Sequence, residues 1–217
     1  MASSVYCLDN DIILKLATCS LFEKTLDTFE VEINQVKILE TFQYKFREAS
    51  KRKRTKNPVN YNLEAALSVT ELCNKISQVD INQDDFIQLR KIEEIDAGEA
   101  ILLIYVSCLN QQNNLSYLLT GDKRCLKVLN APEIDNIVQP LYGRIWCLEQ
   151  LILKDIEVYG FDCIQKKIYP VRDCDTNLKL IFGYSVELSE DTVIVALENE
   201  ITTLKQETKK LLYPYPD

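Results

Sequence analysis

The chain has 217 residues, 47% of them hydrophobic, and its 33 acidic and 25 basic side chains give a formal charge of -8. That length and apolar content allow a full core and exclude a disordered chain, while the acidic balance excludes general adhesion to nucleic acid and leaves any such contact to a local basic patch. Histidine is absent, which excludes Ser-His-Asp and Cys-His catalysis as well as histidine-ligated zinc.

The eight cysteines never fall in a C-x-x-C spacing, and several sit in apolar runs, so buried free thiols and a reducing, cytoplasmic setting are expected. The first residues carry no basic cluster, and no run approaches transmembrane length. Neither a signal peptide nor a membrane contact is expected.

In chain order, Val5 to Leu8 reads as a buried strand and Ile12 to Leu26 as helical. Val36, Leu39, Phe42 and Phe46 recur at spacings of three and four, which predicts an amphipathic helix running into a basic segment and a loop at Pro58. Leu63 to Ile76 reads as a helix and Val79 to Ile81 as a short strand or turn. Asp96-Ala97-Gly98-Glu99 opens an apolar run to Val106 that, as a helix, has to be buried against a sheet. Ser116 to Thr120 is the second clear strand, Gly121-Asp122 a turn, and Lys123 to Leu129 a helix.

Leu141 to Val158 reads as helical, and Phe161 to Leu188 as short β-like runs with turns. Ile194, Leu197, Ile201, Leu204 and Leu211, with Thr208 between the last two, form a heptad-like seam. The order of strands and helices predicts a three-layer α/β/α sandwich with a mainly parallel central sheet and a C-terminal extension. Residues 1–140 are expected to form the main domain, 141–189 to complete it or pack on it, and 190–217 to form an amphipathic helix and tail.

Carboxylates follow both clear strands, Asp9 and Asp11 after the first and Asp122 after the second. In a parallel sheet those strand ends open into the ligand crevice, so the acids can converge. Converging carboxylates without histidine suit a hard divalent ion, which would activate water near neutral pH.

Leu8-Asp9-Asn10-Asp11, Thr120-Gly121-Asp122 and the intervening Asp96-Ala97-Gly98-Glu99-Ala100 resemble the PIN domain family of small metal-dependent nucleases over residues 5–140. The resemblance implies magnesium or manganese, a metal-bound water attacking a phosphodiester, and RNA as the expected substrate class. It implies Asp9, Glu40, Glu99 and Asp122 as catalytic acids, with Asp9, Asp11, Asp96, Glu99 and Asp122 around the metal. Asp11 stands where the family more often has asparagine.

Each acid also has a plainer reading: Asp96 and Glu99 as a capping box, Asp9 or Asp122 as helix N-caps, Glu40 as a solvated helix face. Arg47, Lys51, Arg52, Lys53, Arg54 and Lys56 form the one dense basic cluster and are candidates for phosphate contacts, or else a charged loop. The seam at Ile194, Leu197, Ile201, Leu204 and Leu211 is expected to mediate association with a second copy or a partner protein, unless it packs on its own domain. Two rival functions are weighed. One is a catalytically degenerate fold used as an interaction module. The other is a haloacid-dehalogenase-type phosphohydrolase with Asp9 as nucleophile and Asp11 as acid/base.

Overall fold

The computed structural model describes residues 4–44, 47 and 61–216. Its strands β1 (Val5–Leu8), β2 (Val36–Leu39), β3 (Asn74–Ile76), β4 (Ser116–Thr120) and β5 (Ile145–Cys147) form one parallel sheet in the order β3-β2-β1-β4-β5. Helices α1 (Asn10–Thr18) and α2 (Phe22–Thr28) lie between β1 and β2, and α3 (Leu63–Leu72) precedes β3. Next come α4 (Gln83–Leu89) and α5 (Ala97–Gln111), which lead to β4, then α6 (Lys123–Val128) and α7 (Asp135–Val138), which lead to β5. The chain ends through α8 (Leu148–Tyr159), α9 (Phe161–Ile168), α10 (Thr176–Ile181) and α11 (Glu190–Thr208).

Strand order reverses between β1 and β4, and right-handed crossovers therefore send the connections to opposite faces of the sheet. Accordingly α1 packs on α3 and α2 on α8, while α5 lies against β1, β2 and β4 and touches α4 and α7. The result is the expected three-layer α/β/α class. β4 is buried along its whole length, as a parallel strand covered on both faces requires. One continuous cluster of buried apolar side chains runs from Cys7 to Leu212, and β5 joins the same sheet as β1. No helix among the described residues is long and apolar enough to cross a membrane.

Several local readings need correction. Residues 36–39, expected as the start of a helix, form β2; a spacing of three or four fits a four-residue buried strand as readily as one helical turn. The helix expected over 63–76 stops at Leu72, and Asn74–Ile76 pairs with β2 as β3. Within the helix expected over 141–158, Ile145–Cys147 is the edge strand β5, too short to break an apolar helical pattern. Residues 161–188 are helical, in α9, a 3-10 segment at Tyr169–Cys174 and α10; Pro170 and the capping residue Asp175 cut them into pieces shorter than a recognisable period.

The seam of the last helix is also corrected. Val193, Leu197, Ile201, Leu204 and Leu211 are buried, Ile194 is partly buried, and α11 packs on α6, α8 and α10. The apolar face is consumed inside the chain's own fold, where packing against a domain has the same spacing as a coiled-coil seam. Beyond it, Leu212 bridges to Ile145 and the Tyr213 amide donates to the Ile145 carbonyl at 2.7 Å, so the tail covers the β5 edge. Truncating Leu197 to alanine is expected to cost about 2–5 kcal/mol. By contrast Val195→Ala, at a residue 54% exposed on the same helix, should stay within about 0.5 kcal/mol. Urea unfolding measures both, and equal effects would show that the seam is not core.

A buried carboxylate ties α2 to α8. Asp155 is 0% exposed and accepts from the Thr25 and Thr28 hydroxyls, both at 2.7 Å. Burial pushes its pKa up to about 6, against the pull of the two threonines. The folded state thus holds this proton more tightly than the unfolded chain, and the Asp155 contribution to stability falls as pH rises from about 4 through about 6. Asp155→Asn, which keeps the protonated form's shape, is expected to flatten that slope in urea midpoints taken across the window. An unchanged slope would assign it to other groups.

Candidate functional site

The reversal of strand order places a crevice at the carboxyl ends of β1 and β4. Leu8 pairs with Leu119, and the Asp9 amide donates to the Leu119 carbonyl at 3.1 Å, so Asp9 emerges beside the Thr120-Gly121 turn. Asp9 is 6% exposed and caps α1: Oδ1 accepts from the Ile12 amide at 2.7 Å, and Oδ2 accepts from the Thr120 hydroxyl and from the Gly121 amide at 3.2 Å. Burial, reinforced by Asp11, still pushes its pKa up to about 7 against those three donors.

Across the crevice, Asp96 and Glu99 form the capping box that opens α5. Asp96 Oδ1 accepts from the Glu99 amide at 2.8 Å, and the Asp96 amide donates to Glu99 Oε2 at 2.6 Å. Glu99 also shares a hydrogen bond with Asp122, and burial, then the Asp122 and Asp96 carboxylates, push its pKa up to about 7. Asp122 caps α6 through the Arg124 and Cys125 amides at 2.9 and 3.1 Å. Burial works against its charge, but the Cys125 amide, the Arg124 side chain and Glu99 outweigh it and hold the carboxyl below its ordinary range. The two neighbouring carboxyls are thus pushed in opposite directions, Glu99 up and Asp122 down.

These acids line a cleft of about 140 Å³ with Asn10, and with Phe42 and Leu102 as its apolar wall. Asp9, Asp11, Asp96, Glu99 and Asp122 are thus brought together, and the capping roles coexist with the clustering. Glu40 is not part of this lining. It follows β2 instead of lying on a helix, is exposed, and uses its amide on the Ile76 carbonyl at 3.0 Å. Lys51, Arg52, Lys53, Arg54 and Lys56 lie outside the described residues, while Arg47 is exposed and sits 3.7 Å from Glu71.

A second set of groups was not singled out in the sequence. Lys15, 8% exposed, is paired with Asp11 and lies 2.7 Å from Asp175, the N-cap of α10. Burial opposes its charge, but the two carboxylates outweigh that and keep it protonated. The i, i+4 spacing of Asp11 and Lys15 was a legible signal for the first pair; Asp175, more than 150 residues away, had none. This network borders a neighbouring cavity of about 560 Å³ that also contains Lys123, Arg124, Glu149 and Asn177. There Lys123 is held by Glu149 at 2.7 Å and Glu200 at 2.8 Å.

Among the described residues, no three Asp, Glu, Cys or His side chains stand together closely enough to hold one ion as placed. Asp9 and Asp11 stand at the start of α1, Asp96 and Glu99 at the start of α5, and Asp122 at the start of α6. The polar side chains that line the cleft are carboxylates and one amide, so the donors they offer are hard oxygens. Oxygen is the ligand type that magnesium and manganese prefer. Comparison of the chain with protein-family models, with curated proteins and with solved structures finds no match.

Gly121 is required by close approach, since a Cβ there would lie 2.2 Å from Asp11 Oδ2 and 3.3 Å from Lys15 Nζ. Gly121→Ala is expected to destabilise the protein by about 1–3 kcal/mol. In an Asp11→Ala background the obstructing carboxylate is gone and most of that cost should vanish, a coupling that urea unfolding of the four proteins would measure. Additive losses would mean that the turn itself, and not Asp11, excludes the methyl group.

Proposed function

We propose that the cleft is the active site of a PIN-like, divalent-metal-dependent nuclease acting on RNA in the cytoplasm. One observation carries this reading: Asp9, Glu99 and Asp122 line one small cleft at the strand-order reversal of a parallel sheet, where burial and neighbouring carboxylates raise the Asp9 and Glu99 pKa values to about 7. Three free-standing carboxylates would repel one another, and a cation relieves that repulsion. Asp9, Glu99 and Asp122 would hold magnesium or manganese, with Asp11 and Asp96 beside them; when bound, the ion supplies Lewis-acid polarisation of phosphate and a water of lowered pKa.

The protein's own groups do the positioning. Thr120 and Gly121 fix the Asp9 carboxylate, Lys15 keeps Asp11 turned to its own side, and Phe42 and Leu102 narrow the space open to solvent. Burial and the neighbouring Asp122 raise the Glu99 carboxyl to about 7, near neutral pH. Arg124, almost fully exposed at the rim, is available to the phosphate backbone, and the sequence offers the basic run at Lys51 to Arg54, outside the described residues, as a further candidate. The free state of all eight cysteines supports a reducing compartment. Asp9 has both oxygens engaged, which disfavours the phosphohydrolase role in which it attacks phosphorus.

A non-catalytic binding module on the same fold is the second reading, favoured by the absence, among the described residues, of three acids within reach of one ion. Incubation with end-labelled single-stranded RNA separates the two. Cleavage is expected with Mn2+ or Mg2+ and should stop on adding EDTA. Asp9→Asn or Asp122→Asn should lower the rate by at least about 100-fold while thermal melting persists. Intact RNA with the native protein under all metal conditions would support the binding module; equal cutting of DNA would correct the substrate.

A further inference from the structure

Near the amino ends of β1 and β4, at the opposite end of the strands from the acid cleft, polar aromatic side chains form a row across one face of the sheet. Parallel register sets Tyr6 beside Tyr117, with their rings stacked at 5.2 Å. One strand further, Leu118 pairs with Ile145, so Arg144 stands next to Tyr117, and its Cζ lies 5.7 Å from the centre of that ring. The tail adds Tyr213, whose ring meets Tyr117 edge-on at 5.9 Å and stacks on Trp146 at 4.4 Å.

The donors gathered in this row are unused. Among the described residues, the Tyr6, Tyr117 and Tyr213 hydroxyls have no hydrogen-bond partner, and the half-buried Arg144 guanidinium has neither a hydrogen bond nor an ion pair. Tyr117 is only 9% exposed, so its hydroxyl is the open tip of an otherwise buried side chain. The three phenol oxygens all reach solvent, since Asn10 Oδ1 is the one fully buried side-chain oxygen left unbonded among the described residues. Burial, then the nearby Tyr117 and Tyr213 phenols, push the Tyr6 pKa up to about 12, which keeps that hydroxyl a donor at neutral pH. A half-buried guanidinium without a carboxylate takes its counter-ion from outside the chain.

We infer that Tyr6, Tyr117, Tyr213 and Arg144 form a binding site for phosphate, either the free ion or a monoester carried on a small molecule. The guanidinium offers a planar fork to two oxygens at once, and each phenol offers one O–H to another. That set suits the several acceptor oxygens of a tetrahedral phosphate better than the two of a carboxylate. The inference is independent of the metal-dependent reading, because no group of the acid cleft takes part in it.

Trp146 is the single tryptophan of the chain and stacks on Tyr213, so its fluorescence reports on this row. Inorganic phosphate and glycerol 3-phosphate are the probes, titrated into the full chain at constant ionic strength beside a sodium chloride control. A saturable change in emission is expected, with a rise in melting temperature. A response to inorganic phosphate alone would support the free ion, and a response to both or to the ester alone would support a carried phosphate. Arg144→Ala should weaken binding by about 10-fold or more. Tyr6→Phe with Tyr213→Phe keeps both rings and removes only unbonded hydroxyls, so that protein should melt with the native one before ligand is added and bind several-fold more weakly. No saturable response to either probe, or an equal response to sodium chloride, overturns the site. Native-like affinity in Arg144→Ala or in the double phenylalanine variant overturns it as well.

Discussion

The buried carboxylate of Asp9 is the constraint on which both the sheet and the cleft depend. It sits where β1 ends, starts α1 by capping it, and is held from the other side by the hydroxyl and amide at the end of β4. That arrangement exists only in the register that puts Leu8 beside Leu119. A slip of one residue would turn every side chain of β1 to the opposite face and carry the carboxylate away from Thr120. The same burial that fixes Asp9 also makes its charge expensive, so the position is ordered and electrostatically strained together.

Two further acids, buried Asp155 and half-buried Asp11, show different solutions to that problem. Asp155 is held by two hydroxyls, with Lys24 as a weaker, unbonded influence, and its raised pKa records how incompletely they replace water. Asp11 instead has Lys15, and Lys15 in turn has Asp175, so an ion-pair chain ties the first helix of the sheet to the helical segment that follows α8. Removing one partner from such a chain exposes the others as uncompensated charge. This connects distant parts of the chain beside the cleft without a disulfide, in a protein whose cysteines are all free.

What was legible in the sequence was local. Strands β1 and β4 end in acids within two residues, and the Asp96 and Glu99 capping box is written in a single turn, so those groups could be placed before any fold was known. Strands β2, β3 and β5 span only three or four residues each and borrow their identity from hydrogen bonds to neighbours, which no periodicity encodes. Lys15 was readable as a partner of Asp11 but not as a bridge to Asp175. The final helix illustrates a different ambiguity: one apolar stripe serves equally for a partner and for a domain's own core, and only the packing of Leu197, Ile201 and Leu204 on the preceding helices decides between them.

The capping box of α5 carries a consequence for how the cleft is felt elsewhere in the molecule. One carboxylate, Glu99, both accepts from the Asp96 amide and shares a hydrogen bond with Asp122. Whatever draws Glu99 towards the middle of the cleft must loosen its grip on that amide, leaving the first turn of a fifteen-residue helix less well closed. Because α5 lies against β1, β2 and β4, a change at the cleft mouth becomes a change in the fraying of the helix that covers the centre of the sheet. The exchange rate of a single backbone proton, that of Asp96, is thus a built-in gauge of what occupies the crevice.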